Sequence, residues 1–171
     1  MKDHRGLTLV ELIVTVAIIT VLTGIAAMSI STISGLPAKK CAQQILSSIS
    51  KVRITTMGKK TDVLRITMES DECIYIQEII DGVKDQKKLV GKKGVKIEYT
   101  IIDSGVHGTE QVMNVGDVLE LSFDRSSGAF KEISLGSSKY YGKIVSSKGG
   151  KEYSIIMVPA TGKMSISRNN A

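Results

Sequence analysis

From Leu12 to Ala38 the chain carries no charged residue. Residues 12–28 are almost wholly Leu, Ile, Val, Ala and Thr. Extended to Ile33, the run reaches the length of about 20 residues that crosses a roughly 30 Å hydrocarbon layer as a helix. A buried core helix fits poorly, because the run is apolar on every side and no matching set of helices follows to cover it. Beyond it the sequence is rich in Lys and Gly and reads as strands.

With 171 residues and a formal charge of +6, the chain is long enough for one domain with a real core plus an appendage. The positive charge is spread as Lys39–Lys40, Lys59–Lys60, Lys87–Lys88 and Lys92–Lys93, each in or beside a turn-like stretch. Such pairs read as solvated loop charges. A nucleic-acid surface would combine clustered Arg with stacking aromatics, and this chain has no Trp, two Phe and five Tyr, so no direct nucleic-acid site is evident.

The chemistry-bearing residues are sparse. Cys41 and Cys73 allow one bridge and no metal framework, and neither His4 nor His107 joins a set with ligand spacing. No catalytic residues, metal or cofactor are expected. "ATGKMS" (160–165) ends like a phosphate loop, but Met157 stands where the first Gly is needed. His107, in "DSGVHGTE", reads as a surface loop residue without a nucleophile or metal set. Asp81 and Asp85 flank Gly82 in a calcium-like manner, and Lys84, Lys87 and Lys88 oppose that reading.

Two fates compete for the amino terminus. As a secretory signal it would be cut in "GIAA", after Ala26, but the charges of Lys2, Asp3, Arg5 and Glu11 cancel where such a signal needs a positive region. As a retained anchor it has Lys2 and Arg5 on one side and Lys39 and Lys40 on the other, so charge bias alone does not orient it.

The stretch "RGLTLVELIVTVAIITVL" (5–22) resembles the class III signal of type IV prepilins and type II secretion pseudopilins. In that family a basic leader ends in Gly, cleavage follows, the new terminus is N-methylated, and the fifth mature residue is Glu. The resemblance implies a leader over 1–6, cleavage between Gly6 and Leu7, methylation of Leu7 and an assembly role for Glu11. Leu7 departs from the Phe often found there. Gly6 has no side chain and can lie close to a protease backbone. Cleavage there leaves the apolar helix intact and removes one net positive charge.

Past Ser34–Gly35–Leu36–Pro37, where a kink or short break is expected near 33–36, Ala42, Ile45, Leu46, Ile49 and Val52 recur at helical spacing. They predict an amphipathic helix over about 38–57, ending near Gly58. From 59 the period becomes two, with strands expected at 62–69, 73–80, 95–101, 118–124, 130–135, 153–159 and 163–167. The expected fold is α+β: an N-terminal helix over 7–58, transmembrane over about 12–33, packed on an antiparallel, sandwich-like head over 59–171. The Gly-rich segment 136–150 reads as a flexible loop. The strand ending in Phe123–Asp124, the Ser127–Gly128 turn and "PATGK" (159–163) are similar to the C-terminal half of H-type minor pseudopilins and related minor pilins.

Eight strand residues and the helix from Cys41 to Gly58 each span about 25 Å, which would bring Cys41 and Cys73 level. A disulfide and two unpaired thiols both remain open. The family resemblance implies a minor filament subunit in the cell (inner) membrane, single-pass, with its head outside the cytoplasm until it enters a pilus or pseudopilus. Its partners would be a prepilin peptidase that is also the N-methyltransferase, other pilin or pseudopilin subunits, an inner-membrane assembly platform and the membrane itself. The competing reading is a membrane-anchored extracellular binding module whose helix is a simple tether.

Overall fold

A computed structural model describes residues 8–58, 62–103 and 106–169, and within them every side chain except those of residues 25–34, 106, 107 and 109. The chain divides into two compact units, Met1–Ser34 and Gly35–Ala171. The described part of the first is helix α1, Leu9–Ser34.

The second unit begins at Gly35, where helix α2, Leu36–Met57, sets in. The helices part where the sequence places the interruption. Pro37 sits in the first turn of α2, where its missing N–H is not needed. At Gly35 the backbone runs against a neighbour: a Cβ there would stand 2.5 Å from Lys151 Cγ, so any side chain forces a shift. Along α2, Ala38, Cys41, Ala42, Ile45, Ile49, Val52 and Thr56 are buried at the three- and four-residue spacing that makes one helix face. Gly58 ends the helix with φ −83°, its N–H donating to Ile54 O at 3.0 Å, so it closes the last turn without a left-handed conformation.

Ten strands follow. They are β1 (Asp62–Met68), β2 (Ile74–Ile80), β3 (Val83–Lys84), β4 (Lys88–Gly91), β5 (Lys96–Asp103), β6 (Val106–Val112), β7 (Val118–Ser122), β8 (Lys139–Lys148), β9 (Lys151–Val158) and β10 (Lys163–Asn169). One sheet has the order β3-β2-β1-β7, with β4 also on β2, and the other β10-β9-β8-β5-β6. All pairs are antiparallel. Helix α2 touches strands of both sheets. The core therefore joins Ile45, Ile49 and Val52 of α2 to Leu64, Ile66, Leu119 and Leu121 of the first sheet and Ile97, Ile144 and Ile155 of the second. In β1 the period-two pattern is complete: Asp62, Leu64, Ile66 and Met68 point inward and the residues between them are half-buried.

Two hairpins follow directly from their turn residues. Asp81–Gly82 joins β2 to β3 with φ of 48° and 82°, and Gly149–Gly150 joins β8 to β9 with φ of 60° and 71°. Two successive positive φ values make the turn whose twist matches antiparallel strands, and Asp-Gly and Gly-Gly are the pairs that tolerate it. Asp81 thus serves a turn.

Three expectations need correction. Residues 136–150 are not a flexible loop: β8 fills most of the segment and lies inside the second sheet between β9 and β5. Its Gly142 is a close-approach residue, since a Cβ there would fall 2.3 Å from Ile102 Cδ1. Residues 130–135 form no strand. Phe130 makes an isolated bridge with Phe123, and the chain then turns at Ser134–Ser137, where the Glu132 carboxylate accepts the Gly136 N–H at 2.7 Å. Finally, between residues 81 and 117, where the sequence predicts one strand, at 95–101, the chain also forms β3, β4 and β6.

Candidate assembly site at the amino terminus

The cleavage and methylation residues Gly6 and Leu7 lie outside the described residues. The description begins at Thr8, and that residue caps α1. Its carbonyl accepts the Leu12 N–H at 3.1 Å, and its hydroxyl accepts the Glu11 N–H at 3.2 Å. Thr-x-x-Glu at a helix start is the capping-box pattern, a signal legible in the sequence. Glu11 lies in the first turn of α1, where a negative charge favours the exposed N–H end of the helix. Its side chain is exposed.

The described side chains of α1, from Leu9 as far as Gly24, are all exposed, among them Leu9 at 73%, Ile13 at 58% and Ile19 at 61%. The threonines in the run turn their hydroxyls back onto the helix. Thr15 donates to Leu12 O at 2.9 Å, Thr20 to Ala17 O at 2.8 Å, and Thr23 to Ile19 O. With the hydroxyl protons satisfied, these residues present mainly methyl groups to their surroundings. An exposed apolar surface of this extent marks a site for a membrane or for other protein. Among the described residues, no helix is long and apolar enough to cross a membrane. The expected span 12–33 includes residues 25–33, whose side chains are outside the description.

A second set of residues closes the head. Arg53, on α2, donates from Nε to Gly128 O at 2.8 Å and from Nη2 to Thr161 O at 3.2 Å. It thereby ties the Ser127–Gly128 turn and the 159–162 turn to the helix. Phe130 N–H reaches Pro159 O at 3.0 Å, and Asp124 Oδ1 accepts both serine hydroxyls, Ser126 at 2.6 Å and Ser127 at 2.8 Å. Those hydroxyls hold the Asp124 carboxyl far below the usual carboxylate range. Gly162, with φ 64°, passes so close to Gly128 that a Cβ would lie 1.8 Å from its carbonyl oxygen. The Ser127–Gly128 turn and the 159–162 turn therefore meet at one arginine. Arg53 was not foreseen: its partners are 75 and 108 residues away in the chain.

Cys41 and Cys73 are both free thiols. Burial pushes the Cys41 thiol up to about 11, against a smaller pull from the Ser146 hydroxyl. A Cβ at Gly91 would meet both Cys41 Sγ, at 3.1 Å, and Ile74, which shows that Cys41 faces the start of β2. Ile74 is buried, while Cys73, one residue earlier, is half-buried and bonds through its N–H to Asp71 Oδ1 at 2.9 Å. Among the described residues no three His, Cys, Asp or Glu side chains gather as a metal group. Asp85 is engaged locally, its N–H on Glu78 O at 2.8 Å. "ATGKMS" runs from the 159–162 turn into β10, with no helix after it.

Residues 1–27 match the family model described as the prokaryotic N-terminal methylation motif. No curated protein and no solved structure matches the chain. The chain thus carries a prepilin-type methylation signal at its amino terminus.

Proposed function

We propose that this protein is a structural subunit, a minor one, of a type IV pilus or of a pseudopilus like that of type II secretion, and not an enzyme. Prepilin peptidase cuts between Gly6 and Leu7 and methylates the new amine. Residues 12–33 then hold the subunit in the cell membrane as a single span. The head, its two sheets packed in a sandwich-like unit around α2, stays outside the cytoplasm. An inner-membrane assembly platform moves the subunit into a filament, where α1 packs against the helices of other pilin or pseudopilin subunits.

The observation that carries this reading is the match over residues 1–27, with Gly6, Leu7 and Glu11 at the family spacing, on a helix whose apolar side chains are exposed all round. Placing a charged side chain at the centre of hydrocarbon costs about 2.5–3.5 kcal/mol on insertion scales, and less near an interface. Glu11 is four residues from Leu7, about 6 Å at helical rise, so a lone subunit keeps its carboxylate among the headgroups. In a packed filament that water is lost, and the buried charge needs a partner. The amine of Leu7, on the same or a neighbouring subunit, is the positive group at that depth.

Mass spectrometry of the mature terminus tests the processing. A chain that starts at methylated Leu7 is expected, and Gly6→Leu should leave uncut precursor in the membrane. A mature chain starting at Ala27 would mean a secretory signal instead.

A further inference from the structure

The end of the head at which the chain arrives from α1 is basic and partly apolar. Several elements meet there. Gly35 packs on Lys151, and the Lys148 Nζ bonds to Lys93 O at 2.8 Å beside Gly94. The β8–β9 hairpin, the β4–β5 turn and the first turn of α2 therefore share one end of the head. Between α2 and β4 lies an open groove of about 300 Å³, lined by Leu36, Pro37, Lys40, Gln44, Leu89 and Lys92. Leu36 and Leu89 are 43% and 42% exposed. The acidic residues near this end are few: Glu72 pairs with Lys93 at 3.1 Å, and Glu152 follows Lys151. Among the described residues, Lys40 and Lys92 join no ion pair.

We propose that this end of the head, centred on the Lys40–Lys92 groove, docks on the anionic phospholipid headgroups of the membrane that holds α1. The inference rests on the anchored reading of α1 given above. Leu36 is two residues past Ser34, so a bilayer that holds the apolar run places this groove at headgroup level. Its lysines complement lipid phosphates, and its leucines suit the boundary between headgroups and acyl chains. Docking would fix the head against the bilayer before extraction, and entry into a filament would release it.

The test uses the processed full-length protein, one copy per nanodisc, in discs of phosphatidylcholine alone or mixed with phosphatidylglycerol. Lysine acylation is followed by mass spectrometry. Attraction to an anionic surface should slow acylation of Lys40 and Lys92 by about fivefold in the anionic discs. Added salt should relieve the slowing. Lys163 pairs with Val158, at the other end of β9 from Lys151, and should react equally in both discs. Equal rates at Lys40 and Lys92 in the two discs, with α1 protected from protease by the bilayer, would overturn the docking and leave the anchor standing. Slowing that requires two copies per disc would assign the groove to a second subunit and overturn it likewise. A chain that fails to enter either disc would overturn the anchored reading, and this inference with it.

Discussion

Helices α1 and α2 are neighbours of similar length, Leu9–Ser34 and Leu36–Met57, and they solve opposite problems. In α2 the apolar residues form a stripe, and the stripe is buried: Ile45, Ile49 and Val52 are fully enclosed by strands of both sheets. In α1 the apolar residues surround the helix, and wherever its side chains are described they are exposed. A stripe can be satisfied by one chain's own head, whereas a helix that is apolar all round needs cover on every side. The head supplies that cover to α2 through its own fold. For α1 the proposed function supplies it from lipid and from the helices of other subunits.

The sharpest way to break this comparison is to make the same truncation in both helices. Ile49→Ala should destabilise the head by about 2–5 kcal/mol, the cost of emptying a packed site. Ile18→Ala should leave head stability within about 0.5 kcal/mol, as expected of a residue outside any core. Urea unfolding of the detergent-solubilised protein reads both, and equal losses would mean that α1 packs on the head after all.

A second probe asks how far the enclosure of α2 depends on the Arg53 closure. Gly162→Ala puts a methyl group 1.8 Å from Gly128 O at a positive φ, so the two turns must separate. A loss of about 3 kcal/mol is expected. Gly150→Ala, at φ 71° but with nothing within 4 Å, isolates the backbone term and should cost about 1 kcal/mol.

The smallest effect concerns charge at the end of the head where α2 gives way to β1. Asp62 is 1% exposed, and neither carboxylate oxygen has a hydrogen-bond partner among the described residues. Burial first, and then the nearby Glu78, raise its pKa above 3.8, against a smaller pull from the Val63 backbone N–H and from Lys51; Asp81 adds to the rise. A raised pKa means that the folded state holds this proton more tightly than the unfolded chain. The associated stability is therefore present below pH 3.8 and lost as pH climbs through the folded value. Asp62→Asn should raise the melting temperature at pH 7, and the gain should fade towards pH 3.8. A gain that does not change with pH would contradict the assignment.

Much of the comparison was legible in the sequence, and the places where it was not have physical reasons. The stripe of α2 and strand β1 follow from periodicity, because each buries one face, and the break near Gly35 follows from Gly35 and Pro37. Strand β8 did not, because Gly142 and the serines at its end look like loop composition; only its place between β5 and β9 makes it a strand. Conversely, 130–135 alternates well but leaves only a single bridge at Phe130, and strand propensity without a paired neighbour gives no strand. At the amino terminus, the cap from Thr8 onto the Glu11 N–H lay in plain view as Thr-x-x-Glu. Arg53 was invisible because its partners are backbone carbonyls, which leave no trace in residue types.

The cap also defines the decisive experiment. Thr8 holds the backbone N–H of Glu11, so Glu11→Val keeps the helix start and removes only the carboxylate. The measurement is the ratio of processed subunit in sheared filaments to that in the membrane, for the wild type and Glu11→Val, with Thr8→Ala as the control for the cap. The account predicts that the Val variant inserts, is cut after Gly6 and stays in the membrane, while Thr8→Ala still enters filaments. Normal incorporation of Glu11→Val would contradict an assembly role for the carboxylate and leave α1 a simple tether.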